Sequence, residues 1–335
     1  MQHRPQVGCH WFDPFGSTSY SDICNVPPVN GKADLRLMFW DQEPLHKDRV
    51  KEFFDQYTGT YLGPTTIVTS EYNSEFVSWA CDTYGLDSAY YFFHGWAALD
   101  WYRGYDRSYL IKPFRERKFA HTFLCPNNII GGRRKHRLEL LNELVDRELI
   151  NTNLVSFPDR CPYENKTVAE LCAEYDIPLG HVELPLKIDQ GFDYHKTSHC
   201  VDMWTHAERS LLHVVTETVY EGRRNHLTEK TFKPIVMQQP FVLVSCAGSL
   251  EYLRRYGFKT FSDFWDESYD EADDSVRIMK IGKLLSDIEN LSYKEKDKLY
   301  QALVPVVEHN HNWFYNGGFE QVLWNEITEM VEQWR

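Results

Sequence analysis

Two places in the 335-residue chain put cations where a helix by itself would repel them. The amino end of a helix carries a partial positive charge, so stability alone favours Asp or Glu there and disfavours Lys or Arg. Yet the run Arg133, Arg134, Lys135, His136, Arg137 falls at the opening of one expected helix. Thr228-Glu229-Lys230 opens another, with Thr228 as its N-cap. Cations stacked on a helix dipole make sense when an anion fills the site, and in a strand-loop-helix setting that anion is most often a diphosphate. Arg137 and Lys230 are the residues assigned to it and Arg134 stands beside them, whereas Arg133 and Lys135 fit solvent equally well.

Other chemistries find less in the chain. No D-x-D triplet occurs, which argues against a single-domain, manganese-dependent transferase whose metal bridges a diphosphate. There is no G-x-S-x-G nucleophile elbow and no G-x-x-x-x-G-K-[ST] phosphate loop. His195, His199 and His206, and separately His309 and His311, lack the tight multi-ligand spacing of a zinc site and read as ordinary histidines, so no metal site is expected. The eight cysteines are scattered without a C-x-x-C pair and read as small buried hydrophobes in a reducing compartment. With 36 basic against 49 acidic side chains the formal net charge is -13. That charge disfavours nucleic acid as a bulk partner, although Arg223 and Arg224 could form a local basic patch. No stretch approaches the roughly 20 apolar residues of a membrane span, and the amino terminus lacks a signal-peptide core, so a cytoplasmic protein is expected.

The elements that must position these residues alternate between strand and helix. Residues 34–40, DLRLMFW, form an apolar run too short for a helix and suited to a buried strand. Strands are expected again over 65–69 and 90–93, with a helix over 75–84 between them, while the opening thirty residues, rich in Gly, Pro, Ser and Asn, read as coil. A second unit starts at Lys118. There KFAHTFLCPNN gives a strand ending in polar turn residues, and Leu138, Leu141, Val145 and Leu149 mark one face of a helix over 134–149. Strands at 154–157, 211–218 and 241–246 and helices at 167–175, from 229, and at 249–256 continue the alternation. The acidic stretch 263–274 reads as solvated surface, the aromatic run 90–102 as core, and two or three helices close the chain. The pattern predicts an α/β protein with mainly parallel sheets and domains at 1–117 and 118–305, followed by a C-terminal helical segment, 306–335, packing back on the first domain.

Several segments carry a family resemblance. LTEK at 227–230, followed by a helix and the apolar strand PFVLVSC, resembles the V-T-E-K motif of the α-1,3-fucosyltransferases. FLCPNNIIGGRRKHRLELLNEL is similar to that family's S-N-x(n)-R segment, with Arg137 in the place of its phosphate-binding arginine. MFWDQEPL resembles its F-Y-x-G-E-N-x-x-P region, and GSLEYLRRYGFKTFSDFWDESYD looks like glycosyltransferase sequences of bacteria, large DNA viruses and phages.

The resemblance implies a GT-B-like fold, two Rossmann-like domains facing a cleft, the first on the acceptor side and the second binding a nucleoside-diphosphate sugar as co-substrate, with no cofactor. It implies transfer to a glycan or other hydroxyl acceptor, with inversion and without a metal. Glu43 would be the base, Glu229 the contact to donor sugar or ribose, and Arg137 with Lys230 the diphosphate clamp. Because the order here is D-Q-E-P, Asp41 is an alternative base, and a structural carboxylate is a third reading of the same residues. Glu221 and Glu229 also match the E-x7-E spacing of many retaining transferases, which leaves stereochemistry open with inversion favoured. Two other functions fit the same residues: a non-catalytic glycan- or nucleotide-binding module, and a phage-type glycosyltransferase acting on DNA bases.

Overall fold

The structure is a computed structural model that describes residues 7–11, 35–57, 64–105, 111–188, 200–201 and 203–332. The chain divides into two compact units. The first comprises Met1–Trp96, Arg223–His226 and Val322–Arg335, and the second comprises Ala97–Gly222 and Leu227–Gln321.

Unit 1 is built on a four-stranded parallel sheet in the order β1-β2-β3-β4, with β1 at Val7–Trp11, β2 at Leu35–Trp40, β3 at Thr65–Thr69 and β4 at Asp87–Tyr90. β1 corrects the expectation of coil at the amino terminus. VGCHW is short, with Val7, Cys9 and Trp11 alternating inside a stretch rich in coil-forming residues, and it forms a strand by pairing in register with β2. β4 lies earlier than the expected 90–93, because Phe93 instead starts helix α3, Phe93–Tyr102. Helices α1, Lys47–Tyr57, and α2, Glu75–Tyr84, supply Phe53, Phe54, Val77 and Ala80 to a core with Met38, Trp40, Leu45 and Ile67. Ser74 caps α2 by accepting from Phe76 N and Val77 N, and Gly85 ends it at φ 64, a left-handed turn that glycine adopts without a Cβ clash. The carboxyl-terminal helix α11, Gly318–Glu332, contributes its later residues to this unit. Met330 packs against Leu37, Val68 and Ala89, and Glu326 Oε1 accepts from Phe92 N at 2.7 Å.

Unit 2 carries a second parallel sheet in the order β6-β5-β7-β8, with β5 at His121–Pro126, β6 at Leu154–Ser156, β7 at Ser210–Thr216 and β8 at Phe241–Val244. Every residue of β7 is buried, as befits a strand covered on both faces. Its helices are α4, Lys135–Asp146; α5, Val168–Glu174; α6, Trp204–Arg209; α7, Glu229–Val236; α8, Ser249–Arg255; α9, Asp274–Glu289; and α10, Tyr293–Tyr315. Leu138 and Leu141 of α4 pack with Ile130, Phe157, Val168 and Leu171, and α9 lies along α4.

The expectation of two Rossmann-like α/β domains is met unit by unit, but three local expectations change. The units part at Trp96–Ala97 and not near Arg117. Arg117 is buried, and its guanidinium donates to Lys112 O, Gln238 O and Met237 O, which ties the preceding segment to unit 2. No break falls at 305, since α10 runs unbroken through Pro305. The acidic stretch is not wholly solvated: Asp270 is buried, and its Oδ2 accepts from Leu250 N at 3.0 Å in the first turn of α8.

Candidate functional site

In unit 2 the chain leaves β5 for one side of the sheet and returns as β7 on the other, so the strand order reverses between them. A crevice opens at the carboxyl ends of strands at such a switch point, where open α/β sheets hold their ligands. A cavity of about 180 Å³ lies there. The exit of β5 lines it with Asn127, Asn128 and Ile129, α4 with Arg134 and Arg137, β7 and its end with His213 to Thr216 and Thr218, and α7 with Glu229, Lys230 and Lys233. That volume is below the roughly 300 to 1,000 Å³ of a site that swallows a whole drug-sized ligand. It takes part of a larger molecule.

The start of α7 is organised by a carboxylate that the sequence did not single out. Glu217, fully buried at the end of β7, accepts from Thr228 N at 3.1 Å, Thr228 Oγ1 at 2.6 Å and Thr231 Oγ1 at 2.6 Å. Thr228 is the N-cap, as expected, and its Oγ1 accepts from Lys230 N. Lys230 curls back over the helix end: its Nζ donates to Thr218 Oγ1 at 3.2 Å and Thr228 Oγ1 at 3.1 Å, and pairs with Glu229 at 3.3 Å. The cation therefore sits on the dipole's positive end, inside the cavity lining, as its placement in the sequence suggested.

Arg134 and Arg137 also reach the cavity, and α4 has no acidic residue in its first turn. The role expected of Arg137 changes in part. Its side chain is buried, Nη1 donates to Ile129 O at 2.7 Å, and Nη2 donates to Thr216 O at 3.0 Å and Glu217 O at 3.2 Å. Three of its five N–H donors thus join the strand ends, and Nε has no partner. Burial first, and then the charge of Arg134, push its pKa down to about 9. A buried guanidinium answered mainly by carbonyl oxygens gains from an anion. Among the described residues the lining sets Arg134, Arg137, Lys230 and Lys233 against Glu229, in a chain whose net charge is -13. Glu221 is exposed and does not line the cavity, so it does not join Glu229 there.

Unit 1 places its acids at the carboxyl ends of its strands. Asp41, just past β2, is buried, and Tyr91 just past β4 donates its hydroxyl hydrogen to Asp41 Oδ2. Burial raises the Asp41 pKa, with the Tyr91 bond opposing it and His94 nearby lowering it further. His94 Nε2 lies 2.8 Å from Gln42 O. Glu43 is only half-buried, so of the two proposed bases Asp41 has the environment suited to proton transfer. Glu71, unremarked in the sequence, is buried past β3. It accepts from Leu45 N at 2.6 Å and from Ser74 Oγ, and pairs with Arg224 Nη1 at 3.3 Å. Burial raises its pKa, the Arg224 charge opposing. Arg224 is thereby held inside unit 1, its guanidinium 4.2 Å from the Phe76 ring centroid, and only Arg223 of the suggested basic patch is exposed.

His195 and His199 lie outside the described residues, His206 is buried, and His309 Nε2 lies 3.0 Å from Gly257 O. Among the described residues no three His, Cys, Asp or Glu side chains gather as a metal site, and no helix is long and apolar enough to cross a membrane. Cys81, Cys125, Cys161, Cys172, Cys200 and Cys246 are free, and of these Cys125, Cys161, Cys172 and Cys246 are buried.

Lys233 and His213, which line the cavity, and Glu217, which braces the start of α7, were not singled out from the sequence. Lys233 carried a usable signal, one turn after Lys230 on the same helix. Glu217 carried a weaker one, as a carboxylate directly after an apolar strand. His213 sits inside an apolar run and carried none.

No protein-family model matches the chain, and no curated protein sequence matches it. Among solved structures it is similar to the DNA-modifying enzyme β-glucosyltransferase, studied with and without the substrate uridine diphosphoglucose, at 9% identity and TM-score 0.49, covering 89% of this chain and 74% of that one. It is also similar to T4 phage BGT in complex with its UDP-glucose substrate, at 10% identity and TM-score 0.46 with the same coverage, 89% and 74%.

Proposed function

We propose that the protein is a nucleotide-sugar-dependent glycosyltransferase whose donor diphosphate binds in the unit 2 cavity. The observation that carries this reading is the gathering of four cations and two helix amino ends around the switch point of a parallel sheet. The resemblance of LTEK to the fucosyltransferase motif supports the same assignment. In the proposed reaction an acceptor hydroxyl oxygen bonds to the anomeric carbon as the bond from that carbon to the diphosphate oxygen breaks. The hydroxyl proton passes to a carboxylate, for which Asp41 is the candidate, and the negative charge left on the diphosphate is met by Arg134, Lys230 and Lys233. Arg137 positions the strand ends and adds its remaining donors. Glu229 is proposed to contact the donor sugar or ribose.

Inversion is favoured, because the retaining-type partner Glu221 stands outside the cavity. A cationic clamp can stabilise the leaving group without a metal, so transfer is expected to survive a chelator; loss with EDTA and recovery with manganese would refute that part. The acceptor is a hydroxyl of unassigned type. Incubation with a panel of sugar nucleotides, with glycans and with DNA bearing a hydroxyl-modified base, is expected to release nucleoside diphosphate and yield a glycosylated acceptor. Binding of nucleotides without turnover on every acceptor would point instead to a non-catalytic binding module.

A further inference from the structure

The unit 2 cavity has two chemically different ends. At one, Lys230 Nζ stands 3.2 Å from Thr218 Oγ1, just beyond the carboxyl end of β7. The lining also holds Met237, Met203, Val201 and His213. α7 rises about 1.5 Å per residue, so Lys230 to Met237 spans roughly 10 Å. β7, at about 3.3 Å per residue, covers a similar ~10 Å from Thr216 back to His213. The cationic end suits a diphosphate, and the apolar end suits a flat ring.

His213 is the polar group at that apolar end. It is 5% exposed, and burial, with the charge of Lys233 as a second cause, holds it neutral by pushing its pKa down to about 3. A neutral imidazole has one N–H and one lone pair. Its polar neighbour is Gln239, whose Nε2 is committed to Ser210 O at 3.1 Å and Ser210 Oγ at 2.9 Å. Gln239 thus has only an acceptor, Oε1, to turn toward the imidazole, which suits an N–H on that side and leaves the lone pair for a ligand. Neither His213 Nδ1 nor Gln239 Oε1 completes a hydrogen bond within the protein. Nothing in the packing of β7 requires a histidine: the neighbours Leu211, Leu212, Val214 and Val215 are all aliphatic and buried.

We propose that His213 is a specificity residue that reads the donor's nucleobase by accepting a hydrogen bond from a ring N–H flanked by a carbonyl. This rests on the donor-site reading above. Uracil, thymine and guanine present that edge. Cytosine and adenine present a bare ring nitrogen there, which would set lone pair against lone pair. A site built to bond a ligand N–H rejects the analogue that lacks it, because its own buried group is then unsatisfied.

The test is calorimetric titration of the full chain with UDP, GDP, CDP, ADP and inorganic pyrophosphate. The tighter of UDP and GDP is expected to bind at least about tenfold more tightly than CDP and ADP, and to lose about tenfold or more when the ring nitrogen is methylated, as 3-methyl-UDP or 1-methyl-GDP. His213→Phe is expected to abolish the preference and leave pyrophosphate binding unchanged. Should that variant fail to fold, the methylated nucleotides on the native chain decide alone. Equal binding of all four nucleotides, or of methylated and unmethylated forms, would overturn the role of His213 while leaving the donor site standing. No binding of any nucleoside diphosphate would overturn both.

Discussion

Replacing Lys230 with alanine separates binding from folding. The side chain is 33% exposed, and its pair with Glu229 at 3.3 Å is of the partly solvated kind that contributes about 0 to 1 kcal/mol. The N-cap does not depend on it, since Thr228 keeps both bonds to Glu217. Lys230→Ala is thus expected to lower stability by about 1 kcal/mol or less. A charged hydrogen bond from Nζ to a phosphate oxygen contributes about 1.5 to 3 kcal/mol, equivalent to a rise in Kd of about 10- to 150-fold. Calorimetry on the nucleoside diphosphate should register that loss, whereas the corresponding nucleoside, which has no phosphate, should bind the variant and the native chain alike. Lys283→Ala is the control, an exposed cation paired with Asp287 on α9 at 2.6 Å. The reasoning is refuted if Lys230→Ala weakens the diphosphate no more than Lys283→Ala does, or weakens nucleoside and diphosphate equally.

Arg137→Met removes the donors to Ile129 O, Thr216 O and Glu217 O at the strand ends. It should cost about 3 to 5 kcal/mol of stability in denaturant melts, and a change as small as that of Lys283→Ala would argue against its positioning role. Asp41→Asn should lower kcat by about 10²- to 10⁴-fold with nucleotide affinity unchanged, and undiminished kcat would remove it as the base. Because the Tyr91 bond lowers the Asp41 pKa, Tyr91→Phe should move the acid limb of the kcat/KM profile to higher pH; an unmoved limb would mean that another group titrates. Asp270 has its pKa raised by burial from 3.8 to about 6, so the unfolded chain loses this proton at lower pH than the folded one. Stability should therefore fall by about 3 kcal/mol as pH rises from about 3.8 to about 6 and then level off as far as this group is concerned. Asp270→Asn should flatten that fall, and an unchanged slope would show that the carboxyl is not the source.

Much of this was legible because local chemistry and tertiary structure agree. Thr228 reads as an N-cap and is one, and Lys230 breaks the dipole rule in the sequence and lines the cavity in the fold. The buried strands announced themselves through short apolar runs such as TTIVT and FVLV. What stayed hidden depends on partners distant in sequence. VGCHW is a strand because β2 lies beside it, Asp270 is buried because it holds the start of α8, and the unit boundary follows from Arg117 bonding to carbonyls about 120 residues away. The role of Glu217 as the brace between β7 and α7 appears only when Thr228 and Thr231 turn their hydroxyls toward it. His213 gave no signal, since a single histidine in an aliphatic strand reads as packing.

The most direct measurement is hydrogen exchange of backbone amides with and without saturating nucleoside diphosphate. Slower exchange is expected at residues 127–134, at the switch-point exit of β5, and at 228–233, where α7 begins, because a diphosphate held by Arg134 and Lys230 would exclude water from these stretches and suppress their local opening. Protection confined to other regions, such as the concavity lined by Trp265, Lys280 and Leu299, or no protection at saturation, would contradict the placement of the donor diphosphate in this cavity.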